Sequence, residues 1–221
     1  MAKIPFPGVV SSVVAQAKVR RHLGQRVNVF IGEKFSFALD ARLAMDRGLR
    51  PGMEITPETL HELVRDDGDA RALATALAFL GYRMRSRDEV QKRLARDEWP
   101  DEVIARVLDK LASEGALNDA NFAGAWVESR GLSRPRGARV LRQELRQKGV
   151  PRETIDAALP DEEIELDNAV EAARRKWYNL ESLDERTRRD KMYAFLQRRG
   201  FNFSVSKAAL ARLVEEENEE A

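Results

Sequence analysis

The sequence predicts a mainly α-helical chain: an elongated tandem array of three three-helix repeats preceded by a small β-rich N-terminal unit, a hairpin or three-stranded sheet. Three observations carry this. Apolar residues recur at a fixed long step. Helical stripes separated by Gly or Pro joints run from Thr56 to the end. β-Branched and aromatic residues concentrate in the first quarter.

The β-rich unit spans about 1–55. Val9–Val14 is β-branched and reads as a strand. Val27–Ile31 and Phe35–Leu39 read as hairpin arms, with Gly32-Glu33-Lys34 as a three-residue reversal. Asp40 caps a short helix that ends at Gly48, and Leu49-Arg50-Pro51-Gly52 is turn chemistry. Thr56 followed by Pro57 marks a helix start, and Leu60, Leu63 and Val64 give that helix an apolar face. Asp66-Asp67-Gly68-Asp69 is expected to interrupt it as a polar loop.

Leu94, Leu145 and Leu196 are separated by steps of 51 residues, and other columns keep the same step. Val90, Leu141 and Met192 lie one helical turn before each anchor; Trp99, Val150 and Phe201 lie just past the helix end. Pro100, Pro151 and Asn202 open the next helix, which carries Leu108, Leu159 and Leu210. An upstream helix precedes each pair, at about 71–83, 120–130 and 163–177. The division expected is therefore 1–55 as the β-rich domain and 56–118 as a linker helix plus repeat 1. Repeat 2 covers 119–160, and repeat 3 with an acidic tail covers 161–221. Stacked helical repeats offer long surfaces suited to extended partners.

Catalytic chemistry finds no support. There is no cysteine, and His22 and His61 are the only histidines, so neither a thiolate nucleophile nor a Cys/His metal site is expected. His61-Glu62-Leu63-Val64-Arg65 begins like a zinc-protease helix but places Arg65 where the second ligand must stand. No phosphate-binding glycine loop is present, so no cofactor is expected. The longest apolar run, near Ala72–Leu80, is too short for a membrane span. Ala15-Gln16-Ala17 mimics a leader cleavage site, but Pro5, Pro7, Ser11 and Ser12 break the apolar core a leader needs. A non-enzymatic cytoplasmic protein is expected, and the lack of coiled-coil heptads favours a monomer.

The formal net charge of +1 hides segregation. Between residues 130 and 152 stand Arg130, Arg134, Arg136, Arg139, Arg142, Arg146, Lys148 and Arg152 against one acid, Glu144. A second basic cluster holds Arg174, Arg175, Lys176, Arg186, Arg188, Arg189, Lys191, Arg198 and Arg199; a third holds Lys18, Arg20, Arg21 and Arg26. The end is acidic, with Glu215, Glu216, Glu217, Glu219 and Glu220, and reads as a frayed, solvated terminus. Arg139, Arg142 and Arg146 share one helix sector, away from Leu141 and Leu145. Such a surface suits phosphates or an acidic protein face. The residues expected to bind a partner are Arg130, Arg134, Arg136, Arg139, Arg142, Arg146, Lys148, Arg188, Arg189 and Lys191.

Several stretches resemble a known family. Leu80-Gly81-Tyr82-Arg83-Met84-Arg85-Ser86-Arg87-Asp88-Glu89-Val90 with Leu94 resembles the first-repeat signature of the RecX family, regulators of the RecA recombinase. Gly115-Ala116-Leu117-Asn118-Asp119 with Phe122-Ala123 resembles the junction into the second repeat. Gly137, Leu141, Glu144-Leu145, Lys148-Gly149-Val150 and Ile155 resemble the second repeat, and Arg198-Arg199-Gly200-Phe201 the third. The match runs from about Ala70 to the C-terminus; the β-rich unit is found only in longer relatives, and the acidic tail lies outside the signature. The resemblance implies a helical array lodged in the groove of the RecA–single-stranded-DNA filament. There it inhibits ATP hydrolysis and strand exchange, as a negative regulator of homologous recombination, DNA repair and the SOS response. The alternative is a helical module acting directly on single- or double-stranded DNA.

Overall fold

The computed structural model describes residues 5–16 and 25–220. Lys18, Arg20 and Arg21 of the third basic cluster, and His22, lie outside the described residues. The chain forms two compact units, Met1–Met84 with Val90–Ala116, and Arg85–Glu89 with Leu117–Ala221.

In the first unit, strands β1 (Gly8–Ala15), β2 (Arg26–Ile31), β3 (Lys34–Asp40) and β4 (Glu54–Ile55) form one antiparallel sheet in the order β3-β2-β1-β4. The hairpin arms are as expected, but Lys34 already pairs with Ile31, so the reversal is two residues, Gly32-Glu33. Gly32 opens it at φ 60°, a conformation that costs glycine nothing. Strand β4 was not legible, being two residues that hydrogen-bond to the edge of β1. Asp40 caps α1 (Ala41–Asp46) by accepting from the Arg42 and Leu43 amides, as expected.

Helix α2 (Pro57–Leu80) starts at the Thr56 cap and runs without a break through Asp66–Asp69, contrary to the expected loop. The reason is long-range neutralisation. Asp66 pairs with Arg47, Asp67 with Arg26 at 2.9 Å, and Asp69 with Arg106 at 2.7 Å. Asp67, 5% exposed, also accepts from the Asp40 amide, which ties the helix to the end of β3. Leu60 and Leu63 of α2 enter the core formed by Val10, Val29, Phe37, Leu39, Ala44 and Ile55 beneath the sheet. Each of the Val, Leu, Ile and Phe side chains contributes about 1.5–3 kcal/mol by leaving water.

The remaining helices are α3 (Arg87–Arg96), α4 (Asp101–Ser113), α5 (Asp119–Ser133), α6 (Ala138–Gln147), α7 (Arg152–Ala158), α8 (Glu162–Tyr178), α9 (Glu185–Arg198) and α10 (Phe203–Glu220). The repeat columns explain this regularity. Leu94, Leu145 and Leu196 are fully buried, and Val90, Leu141 and Met192 are at most 2% exposed. The joint after each second helix turns on one left-handed residue: Glu98 at φ 61°, Gly149 at φ 73° and Gly200 at φ 96°. Asn202, which replaces the proline of the other copies, caps α10 by accepting from the Val205 amide.

Apolar clusters hold the second unit. One joins Phe122, Ala123, Leu145, Val150 and Ile155; another joins Trp177, Met192, Leu196, Phe201, Leu210 and Leu213 with their neighbours. Between repeats 2 and 3 the backbones touch. The Gly137 amide donates to the Arg199 carbonyl at 3.0 Å, and a Cβ on Gly137 would stand 2.3 Å from the Gly200 carbonyl carbon. One step of 51 earlier, Ser86 occupies the place of Gly137, and its hydroxyl donates to the Lys148 carbonyl. Among the described residues no helix is long and apolar enough to cross a membrane.

Candidate functional site

The close approach of Gly137 to Gly200 places the end of α5, the start of α6 and the end of α9 side by side. Four guanidinium groups converge there. Arg134, Arg136, Arg198 and Arg199, with Val140, line a cavity of about 230 Å³. Arg136 is held by Glu144, and Arg199 donates to the Pro135 carbonyl at 3.2 Å while lying 4.9 Å over the Phe195 ring. Arg134 and Arg198 are exposed and have no protein partner among the described residues. Partial burial lowers the pKa of Arg199 from its ordinary value, and the like charges of Arg136 and Arg134 add to the effect. A site that crowds cations in this way gains when an anion enters it, and guanidinium forks pair well with phosphate or carboxylate oxygens.

The expected partner-binding residues take several positions. Glu144, the lone acid of the central stretch, accepts from the Trp126 indole at 2.8 Å, from Arg130 at 3.1 Å and from Arg136. Arg130 also lies 4.4 Å over the Trp126 ring. This network holds Arg136 at the cavity wall. Arg139 donates to the Gln197 carbonyl, and Arg142 pairs with Asp156 at 3.1 Å, so two members of the shared helix sector are already engaged. Arg146 is exposed without a partner among the described residues. Lys148 pairs with Glu89 at 2.9 Å, beside the Trp126 ring. Arg189 pairs with Glu185 one turn away, and Lys191 is exposed.

Arg188 departs from the expected surface role. It is 8% exposed, makes ion-paired hydrogen bonds to Glu217 at 3.0–3.1 Å, and donates to the Trp177 carbonyl at 3.1 and 3.2 Å. Its guanidinium lies 3.6 Å from the Trp177 ring centroid, so it belongs to the core of repeat 3. The acidic tail is likewise no frayed end. Glu216 binds Arg174 at 2.6 Å, and Glu217 accepts from both Arg188 and the Trp177 indole. Burial of arginine favours such pairing because an isolated internal charge is costly.

Arg198 and Arg199 were noted in the second basic cluster but not among the candidate binding residues. The sequence carries a signal for Arg199: one step of 51 relates it to Lys148, an expected binding residue. Among the described residues no cluster of His, Cys, Asp and Glu could hold a metal ion.

Comparisons with known proteins agree along most of the chain. Family models match in chain order: the regulatory protein RecX N-terminal domain over residues 16–56, then the first, second and third RecX three-helix domains over 72–111, 118–159 and 162–210. Regulatory protein RecX of Bacillus velezensis is 34% identical over 201 residues, covering 89% of this chain and 76% of the relative. That of Bacillus subtilis is 33% identical over 198 residues, covering 89% and 75%. A crystal structure of regulatory protein RecX superposes with a TM-score of 0.72 at 26% identity, over 90% of this chain and 97% of that one. RecX from Lactobacillus salivarius, at 22% identity and a TM-score of 0.64, covers 67% of this chain and 97% of its own and shares the fold.

Proposed function

The chain belongs to the RecX family of regulatory proteins, and from that premise we propose that it restrains the RecA recombinase by binding the RecA–single-stranded-DNA filament. Bound there, it holds down ATP hydrolysis and strand exchange, and so acts against homologous recombination in the cytoplasm, as a monomer and with no chemistry of its own. The observation that carries this reading is the arginine-lined cavity between repeats 2 and 3, where Arg134 and Arg198 have no protein partner among the described residues. Arginine forks aligned along the repeat junction would clasp phosphates or carboxylates on successive units of a polymer. A bridge between adjacent protomers adds free energy to any rotation that ATP turnover or duplex pairing requires. Arg139, Arg142, Arg146, Arg189 and Lys191 would widen the contact around that centre.

The same cations would also favour direct DNA binding, which is the second reading. The two differ in what they bind. Affinity for fluorescent single strands, bare and RecA-coated, separates them when measured across a salt series. The first reading expects tighter binding to the coated strand together with a fall in ATPase rate. Equal affinity for both strands and an unchanged ATPase would remove it. Direct DNA binding expects log affinity for the bare strand to fall steeply with log salt, by about 0.7 per phosphate neutralised.

A further inference from the structure

The first unit contains a separate cleft of about 540 Å³, bounded by β3, α2 and the α3–α4 joint. Its size is that of a small-molecule site. Phe37, Leu63, Val64, Trp99, Pro100 and Val103 supply apolar walls. Of the cations lining it, Arg26 is held by Asp67 at 2.9 Å, Arg65 by Asp66 at 3.1 Å and Arg106 by Asp69 at 2.7 Å.

Arg71 is different. Its guanidinium lies 5.3 Å from the Trp99 ring centroid, and its buried Nε has no hydrogen-bond acceptor among the described residues. A half-buried guanidinium without an anion among the described residues, set on an indole face beside apolar walls, is an incomplete ion pair. The neighbouring acids do not complete it: Asp66, Asp67 and Asp69 serve other arginines, and Glu102 is exposed at the rim.

We propose that this cleft binds a small organic monocarboxylate with an apolar body, its carboxylate paired with the fork of Arg71 and its body packed against Trp99. One uncommitted cation matches one negative charge. A dianion such as phosphate would meet too few free donors, and the nearby carboxylates would oppose its second charge. The walls reward hydrocarbon, which an inorganic anion lacks.

The test uses the full chain, labelled with nitrogen-15 and titrated with 4-phenylbutyrate, with its neutral analogue 4-phenylbutanol and with inorganic phosphate. The proposal expects saturable shifts of the Arg71 Nε–H and Trp99 indole resonances with phenylbutyrate, while the Trp126 and Trp177 indoles stay in place. Phenylbutanol should bind about tenfold more weakly or worse, as befits loss of a charged hydrogen-bonded pair. Arg71→Gln should remove the preference for the acid, and Arg71→Lys should restore part of it. Absence of saturable shifts, equal binding of acid and alcohol, or a match by phosphate would overturn the proposal. The comparison of acid with alcohol needs no variant and so stands even if Arg71→Gln fails to fold. No outcome bears on the RecA reading, which rests on the other unit.

Discussion

Arg134 and Arg188 come from stretches of similar basic density, yet their surroundings differ sharply. Around Arg134, four guanidiniums share one cavity, and the acid nearby, Glu144, is held by Arg130, Arg136 and Trp126, while Glu165 caps α6 at the Ala138 amide. Around Arg188, the acidic end of α10 supplies two partners: Glu217 takes Arg188 and Glu216 takes Arg174, while Asp167 of α8 takes Arg212 of α10 at 2.7 Å. The charge of Arg134 is left over for a partner; that of Arg188 and Arg174 is consumed by the fold. Basic density therefore marks a binding surface only after the acids of other helices have been placed against it.

That contrast is broken most directly at Arg188. Arg188→Ala removes a cation from a nearly enclosed site and leaves the Glu217 carboxylate with the neutral Trp177 indole but without its paired charge, which should cost about 3 kcal/mol. Arg134→Ala and Arg198→Ala remove unpaired surface groups and should each change stability by less than about 0.5 kcal/mol. Urea unfolding of the three variants checks the difference; equal losses would erase it. Next in size is the coupling between the pair. Glu217→Ala in the Arg188→Ala background should add little, giving a coupling of about 1–3 kcal/mol by double-mutant cycle. A coupling near zero would return the acidic tail to a solvated end.

The repeats were readable in the sequence because their signal is local and buried. Columns such as Leu94, Leu145 and Leu196 must be apolar wherever a third helix covers them, so the step of 51 survives divergence. The continuity of α2 and the fate of the second basic cluster were not readable. Asp66, Asp67 and Asp69 look like a helix breaker until Arg47, Arg26 and Arg106 arrive from distant parts of the chain. Arg188 and Glu217 are likewise 29 residues apart. The cavity at Arg134 is half visible in the sequence: its α5–α6 side lies in the basic stretch 130–152. Arg198 and Arg199 joined it only through the approach of Gly137 to Gly200.

Smaller effects sharpen the comparison of equivalent positions. Glu98 holds the left-handed conformation that Gly149 and Gly200 take in the other joints. Glu98→Gly relieves the steric penalty of a side chain there and should raise stability by about 0.5–1 kcal/mol, read as a higher urea midpoint. A lower midpoint would show that the side chain contributes more than the strain removes. The smallest effect lies at Asp184, the exposed cap of α9. Hydrogen bonds from the Thr187 backbone and side chain hold its carboxyl below the ordinary carboxylate range. A depressed folded-state pKa adds stability above the unfolded-state value, and that contribution is lost as pH falls through the folded-state value. Asp184→Asn keeps an amide cap without a titrating group and should flatten the acid limb of the stability profile; an unchanged limb would assign it to other carboxylates.

The central claim is that the cations left unpaired between repeats 2 and 3 are the ones that grip the partner. It is tested most directly by titrating RecA–single-stranded-DNA ATPase with the wild-type protein and with the Arg134→Glu, Arg198→Glu double variant. The account predicts that the wild type suppresses turnover, while the double variant, folded and equally stable, needs at least about tenfold more protein for the same suppression. Equal suppression by the two proteins would contradict it.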